Sequence, residues 1–295
     1  ERDALFSEMV ERMYEHGKAL RVASYFEIDA VLEAASSSDV VVLCLGEPPS
    51  TEEPGDIDDL TSSAAQIELA QAIAETGTPV VLVLITNRPR IITAFEADMT
   101  GILWAGHPGP FGPQALAEIL AGDVNPSGRL SFSYPKYPNA LLPYDRKISE
   151  TPGEADPPGG GYKPLFRFGT GLSYTTFAYD DLSIELPPVT GEGPEGPVRV
   201  RITVANTGGR DGMDAVQVYL SDRFASVSPR AEELKAFRKI DLDAGEARTV
   251  EFEIPARAFS IIDRDGNRVF EPGAFAIRIG DESAEFDLVP ASETD

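Results

Sequence analysis

The sequence has a single cysteine, and this excludes an internal disulfide bond. Cys44 lies in an apolar run, which predicts that it packs as a small hydrophobic residue. The chain has two histidines and lacks the CxxC, HExxH, EF-hand and Walker patterns, so neither a metal nor another cofactor is implied. No apolar run approaches the roughly 20 residues of a membrane-spanning helix. Disulfide scaffolds, metalloenzymes and helical membrane proteins are therefore disfavoured.

Basic residues are also scarce. The 295 residues contain 25 Lys and Arg against 49 Asp and Glu, a formal charge of −24. Such a chain repels nucleic acid and anionic membrane surfaces, so neither is an expected partner. The charge favours a neutral substrate and a self-repelling surface. An acidic excess is typical of proteins from salty habitats and of acidic secreted proteins, and the composition leaves both open.

The first half of the chain alternates apolar runs with helical patterns. Strands are predicted at 20–26, 40–45, 79–85 and 101–104, and helices at 3–16, 28–36, 64–76 and 112–122. Ser63 and Gln66 have the spacing of a capping box, and Gly77 and Gly122 are helix stops. Strands that alternate with helices predict a mostly parallel sheet with helices on both faces. The expected fold is a three-layer α/β sandwich.

The amino-acid composition changes after Tyr134, where proline and glycine become frequent. A second proline- and glycine-rich stretch lies at 187–197. Beyond it, apolar and polar residues alternate, which is typical of strands. These patterns lie at 198–204, 215–220, 249–254 and 274–279, with turns between them. Short strands joined by turns predict a β-sandwich. The expected domains are 1–144, a linker at 145–180, and an all-β domain at 181–295.

An acidic loop follows the apolar run at 40–45. It runs from Gly46 to Asp56 and carries four carboxylates, Glu47, Glu52, Glu53 and Asp56. In open α/β sheets, ligands bind at the carboxyl ends of the strands. A ligand-binding loop and a merely solvated acidic loop are both compatible with these residues.

Several motifs together resemble glycoside hydrolase family 3. The acidic loop presents Gly-Glu, Thr-Glu and Gly-Asp after an apolar strand, as that family's second domain does. The stretches Trp-Ala-Gly-His-Pro-Gly (104–109) and Gly-Asp-Val-Asn-Pro-Ser-Gly-Arg-Leu (122–130) also resemble this domain. Residues 164–177 are similar to the segment that leaves it, and 198–280 to the fibronectin type III-like module that often follows. The resemblance covers nearly the whole chain.

The resemblance implies a retaining, exo-acting β-glycosidase, similar to a β-glucosidase, that hydrolyses terminal β-linked sugars. In that family the nucleophile is an aspartate on an N-terminal (β/α)8 barrel, which this sequence does not contain. The resemblance also implies that the chain starts inside the second domain, without its opening strand and helix. It is therefore expected to be a proteolytic fragment, a split-gene product or a truncated form. The expected partners are a β-linked glycoside and the barrel. The resemblance also implies a periplasmic or secreted location.

Position by position, the family's Thr-Glu falls on Thr51 and Glu52, so the resemblance assigns the general acid/base to Glu52. Glu53 is adjacent and is the alternative. Glu47, Thr51 and Asp56 are expected to fix the loop or bind substrate, although Glu47 and Asp56 could equally be solvated.

Three positions qualify this assignment. Ser50 stands where the family often has an aromatic residue, which weakens the case for substrate stacking there. His107 stands where the family commonly has an aromatic or aliphatic residue, and no serine nucleophile elbow accompanies it, so it is expected to line the loop or to bond a backbone carbonyl. Trp104 could stack on a sugar or belong to the core.

A second function class remains open on the sequence. A chain without the barrel could be a non-catalytic carbohydrate-binding or assembly subunit that keeps the fold without the chemistry. A barrel-encoding polypeptide in the same preparation or the adjacent reading frame would distinguish the two.

Overall fold

The structure, a computed structural model, describes residues 28–50, 52–140, 143–147 and 163–290. The helix predicted at 3–16 and the strand predicted at 20–26 lie outside this part. The chain forms two compact units. The α/β unit comprises 1–124 and 134–141, and the β unit comprises 125–133 and 142–295.

In the part of the chain that the structure describes, the α/β unit is built on a parallel sheet of three strands in the order β1-β2-β3. The strands are β1 (Val41–Gly46), β2 (Val80–Ile85) and β3 (Gly101–Trp104). The helices are α1 (Ile28–Ser36), α2 (Ala64–Ala74) and α3 (Gly112–Ala121). Short 3-10 turns lie at Glu53–Gly55 and Glu96–Asp98.

Strand β2 lies in the middle of this sheet, and its apolar run explains why. Leu82 and Val83 project to opposite faces, and both are fully buried. A strand buried on both faces reads as continuous hydrophobic sequence, as β2 does. The predicted parallel sheet is confirmed. Within the described residues, the connection from β1 to β2 contains an α-helix, α2, and the connection from β2 to β3 does not. The arrangement with helices on both faces of the sheet therefore stays a prediction.

The ends of the helices follow local sequence signals. Ser63 Oγ accepts a hydrogen bond from the backbone N–H of Gln66 at 3.4 Å, as a helix cap does. The side chain of Gln66 also bonds outside the helix, since its Nε2 donates to the Gly46 carbonyl at 2.7 Å. This bond ties α2 to the end of β1. Helix α3 ends at Gly122, whose φ of 79° is left-handed.

The β unit is a sandwich of two antiparallel sheets, ordered β10-β7-β4 and β14-β13-β8-β9. Its strands are β4 (Phe177–Glu185), β5 (Val189–Thr190), β6 (Gly193–Pro194), β7 (Val198–Asn206), β8 (Gly212–Asp222), β9 (Glu233–Leu242), β10 (Ala247–Ile254), β11 (Ser260–Ile262), β12 (Arg268–Phe270), β13 (Gly273–Ile279) and β14 (Glu282–Leu288). On β7, alternate residues from Val198 to Val204 are fully buried. The predicted β-sandwich is confirmed. Strand β4 begins inside the stretch predicted as a linker.

Two motif residues hold irregular segments onto this sandwich. Asn125 donates to the Asp211 carbonyl at 3.1 Å and accepts from the Tyr174 N–H at 2.8 Å. Arg129 donates to the Gly171 carbonyl at 2.6 Å and forms an ion pair with Asp214. Asp214 is buried and also accepts from the Tyr179 hydroxyl. The 122–130 motif therefore has a structural role in the β unit.

None of the helices in the described part of the chain is both long and apolar enough to cross a membrane.

Candidate active site

The carboxyl ends of the three parallel strands meet at one edge of the sheet. Gly46 is paired with Ile85, and Leu84 with Trp104. A Cβ on Gly46 would lie 2.2 Å from the Ile85 carbonyl oxygen, so only glycine fits there. The close approach lets the Glu47 N–H donate to the same carbonyl at 3.2 Å. Glu47 is thereby placed at the carboxyl end of β2.

Glu47 is almost completely buried, with 4% of its side chain exposed. Its carboxylate accepts from the backbone N–H groups of Asn87 (3.0 Å) and Arg88 (3.3 Å). It also pairs with the Nε atoms of Arg88 (3.2 Å) and Arg90 (3.0 Å). Burial by itself would raise the pKa of Glu47, but these hydrogen bonds and the two arginine charges together lower it below 4.5. Glu47 is therefore an ionised anchor.

Arg88 extends from this anchor to the acidic loop. Its Nη1 donates to the Gly55 carbonyl at 2.6 Å, and its Nη2 to Ser50 Oγ at 3.3 Å. One guanidinium thus holds the loop on both sides of Glu52. A planar group with several fixed donors is suited to this task. Arg90 acts further along, where its Nη1 donates to the carbonyls of Asp59 (3.2 Å) and Thr61 (3.4 Å).

Glu52 lies exposed at the tip of the loop that Arg88 holds. Its backbone has φ 58° and ψ −161°, a region that non-glycine residues seldom adopt and that costs about 1–3 kcal/mol. Its carbonyl accepts from the Gly55 N–H at 2.8 Å, which closes the 3-10 turn. Glu53 is equally exposed but lies within that turn. Thr51 lies outside the described residues.

The remaining predicted site residues lie around this loop or after β3. Asp56 is exposed and, together with Asp58 and Arg88, lines a depression of about 470 Å³. Trp104 is half-buried at the end of β3, and its Nε1 donates to Thr86 Oγ1 at 3.2 Å. His107 is exposed in the loop that follows. The structure thus places Glu47 and Asp56 at the Arg88 clamp, and Trp104 and His107 on the neighbouring strand end.

The two arginines that organise the site were missed from the sequence. They belong to the stretch Asn-Arg-Pro-Arg (87–90), directly after β2. A basic pair at the end of a buried strand in an acid-rich chain was an available signal, because neighbouring parallel strands end at the same edge.

The geometry fits proton transfer by a carboxylate. An exposed glutamate on a loop with fixed ends can meet a substrate atom without a large rearrangement. Among the residues that the structure describes, no group of three or more His, Cys, Asp or Glu side chains is arranged to hold a metal ion.

The fold and the site together define a class: a parallel α/β unit with a clamped acidic loop at its carboxyl edge, joined to a β-sandwich. Comparison with known families is specific. Residues 7–174 match the glycosyl hydrolase family 3 C-terminal domain, and residues 214–283 match the fibronectin type III-like domain. The chain therefore belongs to glycosyl hydrolase family 3.

The similar proteins include several beta-glucosidases, all of much greater length. The chain is 40% identical to the lysosomal beta glucosidase of Dictyostelium discoideum over 86% of its own length and 31% of the relative's. It is 35% identical to the periplasmic beta-glucosidase of Salmonella typhimurium over 87% of its length and 34% of the relative's. A crystal structure of beta-glucosidase from Listeria innocua in complex with gluconolactone superposes with a TM-score of 0.80 at 31% identity, covering 88% of this chain and 38% of that one. The chain thus spans about a third of the length of the curated relatives it matches.

Proposed function

We propose that this chain is the C-terminal portion of a retaining, exo-acting β-glycosidase, and that Glu52 is its general acid/base. The observation that carries the proposal is the exposed Glu52 carboxylate on a loop clamped on both sides by Arg88. The relatives' names, β-glucosidases and a beta-xylosidase, support a terminal β-linked sugar as substrate.

The proposed mechanism is double displacement. A carboxylate on the N-terminal (β/α)8 barrel attacks the anomeric carbon while Glu52 protonates the departing oxygen, which gives a covalent glycosyl-enzyme. Glu52 then removes a proton from water as the water attacks the same carbon, and the configuration is retained. The nucleophile belongs to the barrel, so the chain alone is expected to be inactive.

The clamp gives the acid a fixed position. Glu47 is held by four donors, and its charge orients Arg88, which in turn donates to the Ser50 hydroxyl and the Gly55 carbonyl. We propose that Glu47 and Arg88 are positioning residues that never touch the reacting atoms. Asp56, Trp104 and His107 are proposed to bind substrate or to fix the loop at this edge of the sheet.

The test replaces Glu52 by alanine in the complete enzyme, the chain joined to its barrel. Substrates with poor leaving groups, such as disaccharides, are expected to lose about 10²–10⁴-fold in rate. Activated aryl glycosides should still glycosylate the enzyme and then stall, because no base activates water. Azide needs no deprotonation, so it should restore turnover and yield a β-glycosyl azide.

Glu53→Ala is the matched control, since Glu53 is adjacent and equally exposed. It should keep disaccharide hydrolysis and show no azide effect. Azide rescue of Glu53→Ala alone would move the assignment by one residue. An absence of rescue in both variants would remove the acid/base from this loop. Should the wild-type complete protein hydrolyse no glycoside, the non-catalytic binding or assembly subunit would be the better description.

A further inference from the structure

The β unit carries a concavity that the glycosidase proposal does not use. It has a volume of about 780 Å³ and lies on the outer face of the four-stranded sheet. Its floor is formed by β8 and β13, where Gln217, Ser221 and Arg278 project away from the hydrophobic core. The segments 144–146 and 167–170 form its walls. This size is typical of pockets that hold a small ligand.

The lining of this concavity has the opposite charge balance from the whole chain. One acidic residue, Glu232, contributes to the lining among the described residues, whereas the chain as a whole carries a formal charge of −24. The lining includes five arginines: Arg129, Arg146, Arg167, Arg223 and Arg278. Arg129, Arg223 and Arg278 are each paired with a carboxylate, and the surplus of guanidinium over carboxylate groups in the lining favours an anion.

Several of these arginines are held in place by the fold. Arg278 pairs with Glu232 at 2.8 Å, and its guanidinium lies 4.3 Å from the centre of the Tyr219 ring. Arg129 is fixed by the buried Asp214. Donors that are already oriented lose little conformational entropy when a ligand arrives. Arg167 is exposed on the wall segment.

Neutral groups in the same lining are those that sugars use. Gln217 and Ser221 provide amide and hydroxyl groups, and the rings of Tyr144 and Phe168 stack with centroids 4.1 Å apart. Wall and floor are close, since a Cβ on Gly169 would lie 2.8 Å from Gln217 Oε1. Arginine forks match planar carboxylates, amides and hydroxyls hydrogen-bond sugar hydroxyls, and an aromatic face packs against the apolar face of a pyranose.

We propose that this concavity binds an anionic carbohydrate, specifically a short oligosaccharide that carries a uronic-acid carboxylate. The arginines bind the carboxylate, and Gln217, Ser221 and the aromatic wall contact the sugar rings. The site belongs to the β unit, so it stands or falls independently of Glu52 and of the glycosidase proposal.

Isothermal titration of the full 295-residue chain tests this directly. The probes are a disaccharide of glucuronic acid and glucose, the neutral disaccharide cellobiose, and sodium sulfate. The acidic disaccharide should bind, and cellobiose should bind at least about tenfold more weakly, because one charge-assisted contact is worth more than 1.4 kcal/mol. Equal affinity for cellobiose, or no binding of the acidic disaccharide, would refute the proposal. Sulfate binding as tight as that of the disaccharide would refute the sugar part.

Arg167→Gln locates the site. Arg167 is exposed, so the variant should keep the wild-type melting temperature while the affinity for the acidic disaccharide falls about tenfold. Arg199→Gln is the control, because Arg199 is an exposed arginine of the other sheet that pairs with Glu253. It should bind like the wild type. Equal losses in the two variants would show that general charge, rather than the concavity, attracts the ligand.

Discussion

Glu47 and Glu52 are five positions apart in one loop, yet the fold gives them opposite environments. Glu47 is buried and surrounded by four donors, whereas Glu52 is exposed at the loop tip. A carboxylate that satisfies buried donors is retained as a structural charge. A carboxylate that reaches solvent remains available to a substrate. The different roles proposed for them follow from a difference of burial, since both residues are glutamates.

Replacing Glu47 by glutamine tests the anchor. The variant should lose about 2 kcal/mol of unfolding free energy at pH 7, because two buried arginine contacts lose their charge-assisted partner. The folded-state pKa of Glu47 lies below its ordinary value of 4.5, so its contribution is complete above that pH and fades as the pH falls through the folded pKa. The difference between wild type and variant should therefore shrink below pH 4.5. Urea unfolding followed by the fluorescence of Trp104, the sole tryptophan, measures it. A difference that grows in acid would contradict the lowered pKa.

Arg88→Gln and Arg90→Gln form a matched pair for the positioning role. Both variants lose a contact with Glu47, but only Arg88 also binds Ser50 and Gly55 on either side of Glu52. In the complete enzyme, Arg88→Gln should lower kcat by about 10–100-fold for disaccharides, the usual effect of a small misplacement of a catalytic group. The loss should be much smaller for activated aryl glycosides during glycosylation, which need little protonation. Equal losses for both variants and both substrates would indicate general destabilisation instead.

Among the secondary-structure elements, the ends of the helices were predicted from local sequence signals. Helix α3 stops where Gly122 adopts φ 79°, a conformation that places a Cβ too close to the backbone. Gly101 differs, since it opens β3 without a left-handed φ and a Cβ there would meet nothing within 4 Å.

Gly122→Ala should therefore destabilise the α/β unit by about 1–2 kcal/mol. Gly101→Ala, with the same chemical change, should be neutral or stabilise by up to about 1 kcal/mol, since alanine restricts the unfolded chain. Denaturation followed by Trp104 fluorescence compares the two. Indistinguishable midpoints would mean that the left-handed turn is not what ends the helix.

Elements with a strong local signal were predicted, and elements shaped by their partners were not. The buried runs of β1 and β2 and the alternation of β7 identify those strands from sequence. Strand β9 was missed because Phe237 is largely exposed and few of its residues reach the core. Strand β4 carries an irregularity between Asp180 and Ser183. In both strands the pairing partner, rather than the local pattern, determines the structure.

The candidate site divides in the same way. The acidic loop could be read from its composition and its place after a buried strand. The Arg88 clamp could not, because Arg88 reaches Glu47, Ser50 and Gly55 across 33 to 41 positions of sequence. Contacts of that range depend on which strands become neighbours.

At the scale of the whole molecule, the dominant feature is charge. A formal charge of −24 on 295 residues produces self-repulsion in the compact state. Ion pairs relieve this only locally, for example where Arg199 and Arg201 face Glu253 and Glu251 on the outer surface of one sheet. Exposed pairs of this kind contribute little to stability.

Molar KCl should therefore raise the melting temperature. The Debye length falls from about 10 Å at 0.1 M to about 3 Å at 1 M, so added salt screens repulsion between acids that are not in contact. Calorimetry across a KCl series tests this, with an uncharged osmolyte at matched osmolality as the control. A flat or falling melting temperature would mean that the carboxylates are too widely spaced to repel one another appreciably.

The order in which the chain passes through its two units limits where the gene can be divided between them. Residues 125–133 belong to the β unit, but residues 134–141 return to the α/β unit, where the Tyr134 hydroxyl donates to the Arg90 carbonyl at 2.7 Å. No single breakpoint in the gene can separate the units cleanly, since any cut between 125 and 141 leaves part of one unit with the other. A single exchange at that junction is therefore expected to disrupt one unit or the other. Recombination is expected to preserve both units only when the segment from Asn125 to Leu141 is transferred together with the α/β unit and the β unit.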